Sequence, residues 1–356
     1  PVALVLTEQL EPASGPSGII FPPSYAPKDK NAEATREHPY PISKLHHGIE
    51  PEDAAARGIE SNVCDLDSVG AQSNRMEPIF KRAPLNALVP QITINDGELA
   101  ISLLEAGHRI ADGAVRYSKF SSKSVEAIKL FGATGSAIAL AKVAPTSLVF
   151  GFWDSRDSQL KHPRVLSSTI RATNVATLKR SAQYKAAPLK LDEHERVELS
   201  EEGFNDIPAV GTHGGVRVFG KIVRKTEINL VALRSLAAVT EMKIVDETAT
   251  LNLRRYLLGL ALVAARAQNA YNLRQGCLLV QKSDAPPQAQ LVYPSGKRET
   301  FTWDLAESFA FAQKAAEEFG VGESGEFAFE PTRVKEALKG KKDEKAAKKA
   351  TKKATI

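Results

Sequence analysis

The chain has 356 residues, 43% of them hydrophobic, enough for a sizeable core in one large domain or two ordinary ones. No apolar run reaches membrane-spanning length and the start is not signal-like, so neither a membrane protein nor a secreted one is expected. Two widely separated cysteines, Cys64 and Cys277, exclude a disulfide framework or a zinc ribbon and fit a reducing cytoplasm.

The formal net charge of +5 is a property of the end of the chain. Residues 339–356 hold eight lysines against two acids, so the rest carries a formal −1. A case for nucleic acid must rest on where charge clusters in the body.

Residues 1–10 alternate like a strand. Residues 11–51 carry eight prolines and are expected to form a loop without regular structure, either an arm reaching a neighbouring copy or a surface insertion. Asp67 opens a predicted helix whose best part ends at Pro78. Ser68, Gln72 and Arg75 share one of its faces, with Asn74 beside it; Val69, Met76 and Phe80 can face the core. The polar stripe suits ribose and phosphate, and equally the wet side of an amphipathic helix. QITIND (91–96) reads as a short strand, and 98–116, with His108, Arg109 and Arg116, as helical. A further helix covers 123–142, with a break expected at Gly132 or Gly135. SLVFGFWD (147–154) has the pattern of a buried strand.

The densest charge follows. Between Arg156 and Lys190 stand eight Lys or Arg residues and one acid, Asp157. Interleaved are Ser167, Ser168, Thr169, Thr173, Asn174, Ser181 and Gln183, short donors that suit phosphate and sugar oxygens. Val165, Leu166, Ile170, Val175 and Leu178 show that the segment also packs. The bland alternative is a solvated, arginine-decorated surface. Residues 191–206 then reverse the sign, seven acids against Arg196, and read as an exposed insertion.

Gly215 to Lys221 spells G-x-x-x-x-G-K, but Ile222 stands where a P-loop needs Ser or Thr to hold magnesium. The segment reads instead as a glycine-rich turn feeding a strand, with bare backbone N–H groups able to approach an anion. TEINLVALRSL (226–236) looks like the next strand, 249–271 a largely buried helix, GCLLVQ (276–281) a strand and 303–319 an amphipathic helix. The Lys/Ala tail lacks apolar anchors and could attract nucleic acid without specificity.

No HExxH, GxSxG or Cys/His pairing gives an enzyme its constellation. No cofactor or metal is expected. His162 and His213, beside basic or glycine-rich stretches, leave ribonuclease activity as the sharpest enzymatic alternative.

Several blocks in one order carry a resemblance: FPPSY (21–25), DSVGAQSNRMEPIF (67–80), GHRIADGAVRYS (107–118), GFWDSR (151–156), PRVLSSTIRATNV (163–175) and LKRSAQY (178–184). Together they resemble a CRISPR-associated RAMP family, the backbone subunit of the type I-G (formerly I-U) Cascade complex. The resemblance runs to about Lys225. It implies an α+β fold: a ferredoxin-like, RRM-type βαββαβ sheet with large insertions forming thumb and finger extensions. One such domain would span 1–338, with a Pro-rich arm at 11–62 and an acidic insertion at 186–212. The resemblance further implies no catalysis and copies arranged in a helical filament along one CRISPR guide RNA. It implies other Cascade subunits as partners, and target DNA met through the guide. Carried over by block, the RNA-binding candidates are Ser68, Gln72, Asn74 and Arg75, then His108 and Arg109, then Arg164, Ser167, Ser168, Arg171, Thr173, Asn174 and Arg180. Lys221 beside the glycine turn completes the set. Gripping phosphate and 2′-OH leaves Watson–Crick edges free, and 6% aromatic content argues against recognition by stacked aromatic platforms.

Overall fold

A computed structural model describes residues 1–24, 40–184, 207–267 and 271–339. The acidic segment 191–206, the tail from 340 and residues 25–39 of the proline-rich arm lie outside them.

The chain begins with β1 (Ala3–Pro12) and returns, after the described part of the arm, as β2 (Ile42–Lys44), α1 (Pro51–Ala56) and β3 (Asn62–Asp67). Helix α2 (Val69–Met76) follows at once, capped by the Ser68 hydroxyl accepting from the Ala71 N–H, so Asp67 closes the strand rather than opening the helix. Strands β4 (Ile92–Asn95) and β5 (Ala100–Ser102) pair antiparallel. The helix expected over 98–116 is not there: β5, two 3₁₀ turns and the short α3 (Gly113–Arg116) replace it. Arg109 interrupts it locally, since its φ of 53° lies in the left-handed region and cannot continue a right-handed α-helix.

Helix α4 (Ser121–Thr134) ends at Gly135, whose φ of 77° makes it the left-handed cap, and α5 (Ile138–Val143) resumes after the break. Where a buried strand was expected, Pro145 starts α6 (Pro145–Phe150), all six residues buried. A short apolar run reads the same way for strand and helix; only Phe152–Trp153 (β6) is strand, paired with β7 (Lys161–His162). The basic stretch supplies β8 (Leu166–Thr173) and β9 (Val175–Tyr184), then come β10 (Ile207–Val218) and β11 (Ile222–Asn229). The last of these stops because the Asn229 side chain accepts from the Ala232 N–H and caps α7 (Leu230–Arg234), so 226–236 is half strand and half helix. The remainder is α8 (Glu247–Arg266), β12 (Tyr271–Arg274), β13 (Cys277–Gln281), β14 (Gln288–Val292), β15 (Arg298–Phe301), α9 (Leu305–Phe319) and β16 (Gly325–Ala328).

The central sheet is an antiparallel meander in space but not in sequence. β1 lies between β11 and the pair β13/β14; β11 pairs next with β8, β8 with β3, and β3 with β2. With α2 following β1 and α8 following β11, the strands β1, β8, β11 and β13/β14 take the order fourth-first-third-second of a βαββαβ unit, the ferredoxin-like arrangement. The fold is α+β, as expected. β9 and β10 form a two-stranded ribbon inserted between β8 and β11.

One face of the sheet is dry. Leu4, Leu6, Leu166 and Ile228 pack with Leu253, Tyr256, Leu257 and Leu260 of α8 in the larger core cluster. Leu10, Cys64, Ile170, Ala172 and Ile222 belong to a second cluster. Between the two runs a buried polar layer of Glu8, Gln72, Ser168, Arg224 and Thr226. Both cysteines are buried and unpaired.

Candidate nucleic-acid interface

On the other side of the sheet, the outward positions of β8 and β11 are exposed or half-buried among the described residues. In β8 the period of two sends Leu166, Ser168, Ile170 and Ala172 inward, and leaves Ser167, Thr169, Arg171 and Thr173 on the open side. Register then assembles a surface from distant sequence. Arg171 stands opposite Asp65 of β3 and Val223 of β11, and Thr169 opposite Lys225. Thr7 and Gln9 of β1 flank Lys225 and Val223 in turn. None of these open-face positions is aromatic. Arg171 Nε donates to Asp65 Oδ1 at 2.7 Å with both side chains about half exposed, so the pair is screened and costs little to exchange for a phosphate.

At the end of this face the turn between β10 and β11 carries Lys221. The Lys221 N–H donates to Thr173 Oγ1 at 3.2 Å and the Gly220 N–H to the Thr173 carbonyl at 3.1 Å. A Cβ on Gly220 would lie 2.4 Å from Thr173 Oγ1, so only glycine lets the turn close there. A cavity of about 290 Å³ beside it is lined by Gln9, Gly220, Lys221 and Lys282 among others.

The structure divides the other candidates. Gln72 is buried: its Oε1 accepts from Ser168 Oγ (3.0 Å) and Arg224 Nε (3.1 Å), and its Nε2 donates to Asp67 (2.7 Å). Of the polar stripe of α2, Gln72 therefore faces inward, because the buried Arg224 demands polar partners. Ser168 belongs to the same network. Ser68 is the cap already described, and Asn74 is exposed. Arg75 is tied to Asp67 at 3.0 Å and to the Leu273 carbonyl at 2.5 Å. Arg109 is buried, its Nε donating to Glu77 at 2.7 Å and its guanidinium 5.4 Å from the Phe150 ring centre, while its neighbour His108 is exposed. Burial drives the Glu77 carboxyl up to about 7 although Arg109 opposes it.

Asn174, at φ 51°, is also buried. Its Oδ1 accepts from the Ser61 N–H at 2.7 Å and its Nδ2 donates to the Ile59 carbonyl at 2.8 Å, so it pins the β8–β9 junction to the start of β3. Arg164 is exposed on the way into β8. Arg180 projects from the ribbon 5.6 Å from the Phe21 ring centre. Of the candidates, then, Ser167, Arg171, Thr173 and Lys221 converge at one surface; Gln72, Ser168, Arg109 and Asn174 face inward. Sequence reasoning missed Thr7, Gln9 and Lys225, and passed over Thr169 as a site residue. Reading β8 at strand period would have picked Thr169 over Ser168.

His162 is buried, its Nε2 3.1 Å from the Leu148 carbonyl and its ring edge-on to Phe131; burial lowers its pKa. His213 is exposed, 5.7 Å from the Tyr40 ring. Among the described residues no cluster of His, Cys, Asp or Glu could hold a metal ion, and no helix is long and apolar enough to cross a membrane.

The sheet of βαββαβ order thus presents, on β3, β8 and β11, a polar face that sets Ser167, Thr169, Arg171 and Lys225 beside the acids Asp65 and Glu227. Residues 4–177, just under half of the chain, match the family model described as CRISPR-associated protein GSU0053. The matched span runs from β1 into β9 and contains most of the open face. It supports a CRISPR-associated protein. No curated protein matches the chain.

Proposed function

We propose that this chain is a guide-RNA-binding backbone subunit of a type I-G CRISPR surveillance complex, whose copies line up along the guide and present it to target DNA. The observation that carries the reading is the open face of the sheet, where Ser167, Thr169, Arg171 and Lys225 stand on adjacent strands beside the exposed Glu227, with no aromatic among them. Such a face holds phosphate and 2′-OH groups and leaves base edges available for pairing. The match to a CRISPR-associated family over residues 4–177 supports the guide as the RNA in question. The β9–β10 ribbon, carrying Lys179, Arg180 and Arg217, is the extension best placed to continue the cationic track.

The test is Arg171→Ala with Lys225→Ala in the full chain, measured by RNA affinity across a salt series. Two lost phosphate contacts lower the slope of log affinity against log salt by about 1.4–1.8 and weaken binding for every sequence alike. Unchanged affinity and slope reject the assignment. Of the two histidines that point to the endoribonuclease alternative, His162 is buried and His213 is exposed. Cleavage of repeat RNA that disappears in His213→Ala would replace the binding reading with that one.

A further inference from the structure

The hairpin of β6 and β7 has an exposed side that the sheet-face reading does not use. Register pairs Phe152 with His162 and Trp153 with Lys161. In so short a ladder one pair points in and the next points out. The inward pair is anchored: His162 reaches the Leu148 carbonyl, and Phe131 and Phe152 lie 5.6 and 6.1 Å from its ring. The outward pair is Trp153, 54% exposed, with Lys161 Nζ 5.4 Å from its ring centre. No other tryptophan or phenylalanine among the described residues is as exposed.

The loop that joins the two strands is held rigidly. Asp154 accepts from the Ser158 N–H at 3.0 Å, the Ser158 hydroxyl at 2.8 Å and Arg116 Nη2 at 2.6 Å, and its own N–H donates to the Leu160 carbonyl at 2.9 Å. Arg116 also pairs with Asp157. One arginine thus engages both acids of the loop, while Arg156, Lys161 and Arg164 are exposed and Lys161 lies over the indole. A large ring in water, set on an anchored hairpin with a lysine ammonium beside it, matches a flat apolar ligand that carries negative charge.

We infer that Trp153 and Lys161 form a stacking site for an unpaired nucleobase of single-stranded RNA, separate from the sheet face that holds the backbone. The inference rests on the RNA-binding reading above and adds a base contact to it. Ser167 follows Lys161 by six positions, so the indole's backbone lies within roughly 20–25 Å of the start of the polar track. One strand of RNA can therefore serve both.

The full chain has two tryptophans, Trp153 and the buried Trp303, which makes fluorescence the natural readout. Titration with a short oligoadenylate quenches the emission of the wild type, and an abasic ribose-phosphate oligomer of equal length does not. Trp153→Ala loses the quenching and binds oligoadenylate roughly tenfold more weakly, whereas Trp153→Phe keeps most of the affinity. If neither the wild type nor the variants bind RNA, the RNA-binding reading falls and this inference with it. If the wild type binds but Trp153→Ala binds equally well, the stacking site alone is overturned. It is likewise overturned if Trp153→Ala changes the size of the protein's assemblies while RNA affinity stays the same, because the ring is then a protein contact.

Discussion

Arg224 Nη1 lies 2.5 Å from the Glu8 carboxylate, with both side chains out of reach of solvent. The two come from adjacent strands, opposite each other in register, and Arg224 is further held by the Ala265 carbonyl of α8 at 2.9 Å and by Gln72 of α2. One guanidinium therefore ties the sheet to both helices behind it. Removing one partner leaves a buried charge without compensation, which costs about 3–5 kcal/mol. Glu8→Gln and Arg224→Met should each lower the unfolding free energy in urea by that order. The double replacement Glu8→Leu with Arg224→Met should be less destabilised than the sum of the two singles, since it removes both charges together.

Asn174 makes a second prediction, and it separates stability from binding. Alanine at this position loses one buried and one half-buried hydrogen bond and must hold a left-handed φ, a combined penalty of about 2–4 kcal/mol. Asn174→Ala should lower the thermal midpoint by several degrees. The salt slope of RNA binding, measured well below that midpoint, should stay at the wild-type value. A reduced slope would make Asn174 a contact of the RNA itself.

The Asp154 carboxyl supplies a prediction in acid. Burial works to raise its pKa, but the Ser158 hydrogen bonds and the Arg116 guanidinium outweigh burial and hold it at about 2. A carboxyl whose folded value is depressed contributes stability that is complete above its ordinary value near 3.8 and is lost as pH falls through about 2. Between pH 4 and pH 2 the wild type should therefore lose more stability than Asp154→Asn, whose starting stability is lower. The comparison is made by urea unfolding at each pH. Parallel pH dependence in the two proteins would remove Asp154 from the account.

Much of the architecture could be read from pattern. The alternation of residues 1–10, the long apolar helix ending at Arg266 and the break at Gly135 all stand close to where periodicity put them. The failures have local causes. Pro145–Phe150 is buried on every side, so its hydrophobicity carried no period to read. The segment around Arg109 follows an ion pair with Glu77, a partner 32 residues away that no local propensity reveals.

Composition and order alone established that residues 156–190 concentrate cations among short donors, and that no enzyme motif accompanies them. They also put a resemblance to CRISPR-associated proteins within reach before any coordinates. Only the folded chain decided which donors face outward. Ser167 and Ser168 are adjacent and chemically identical, yet one lies on the open face and the other hydrogen-bonds to Gln72 in the interior. The reason is geometric: a strand turns successive side chains to opposite sides, and which side is wet depends on where α2 and α8 pack.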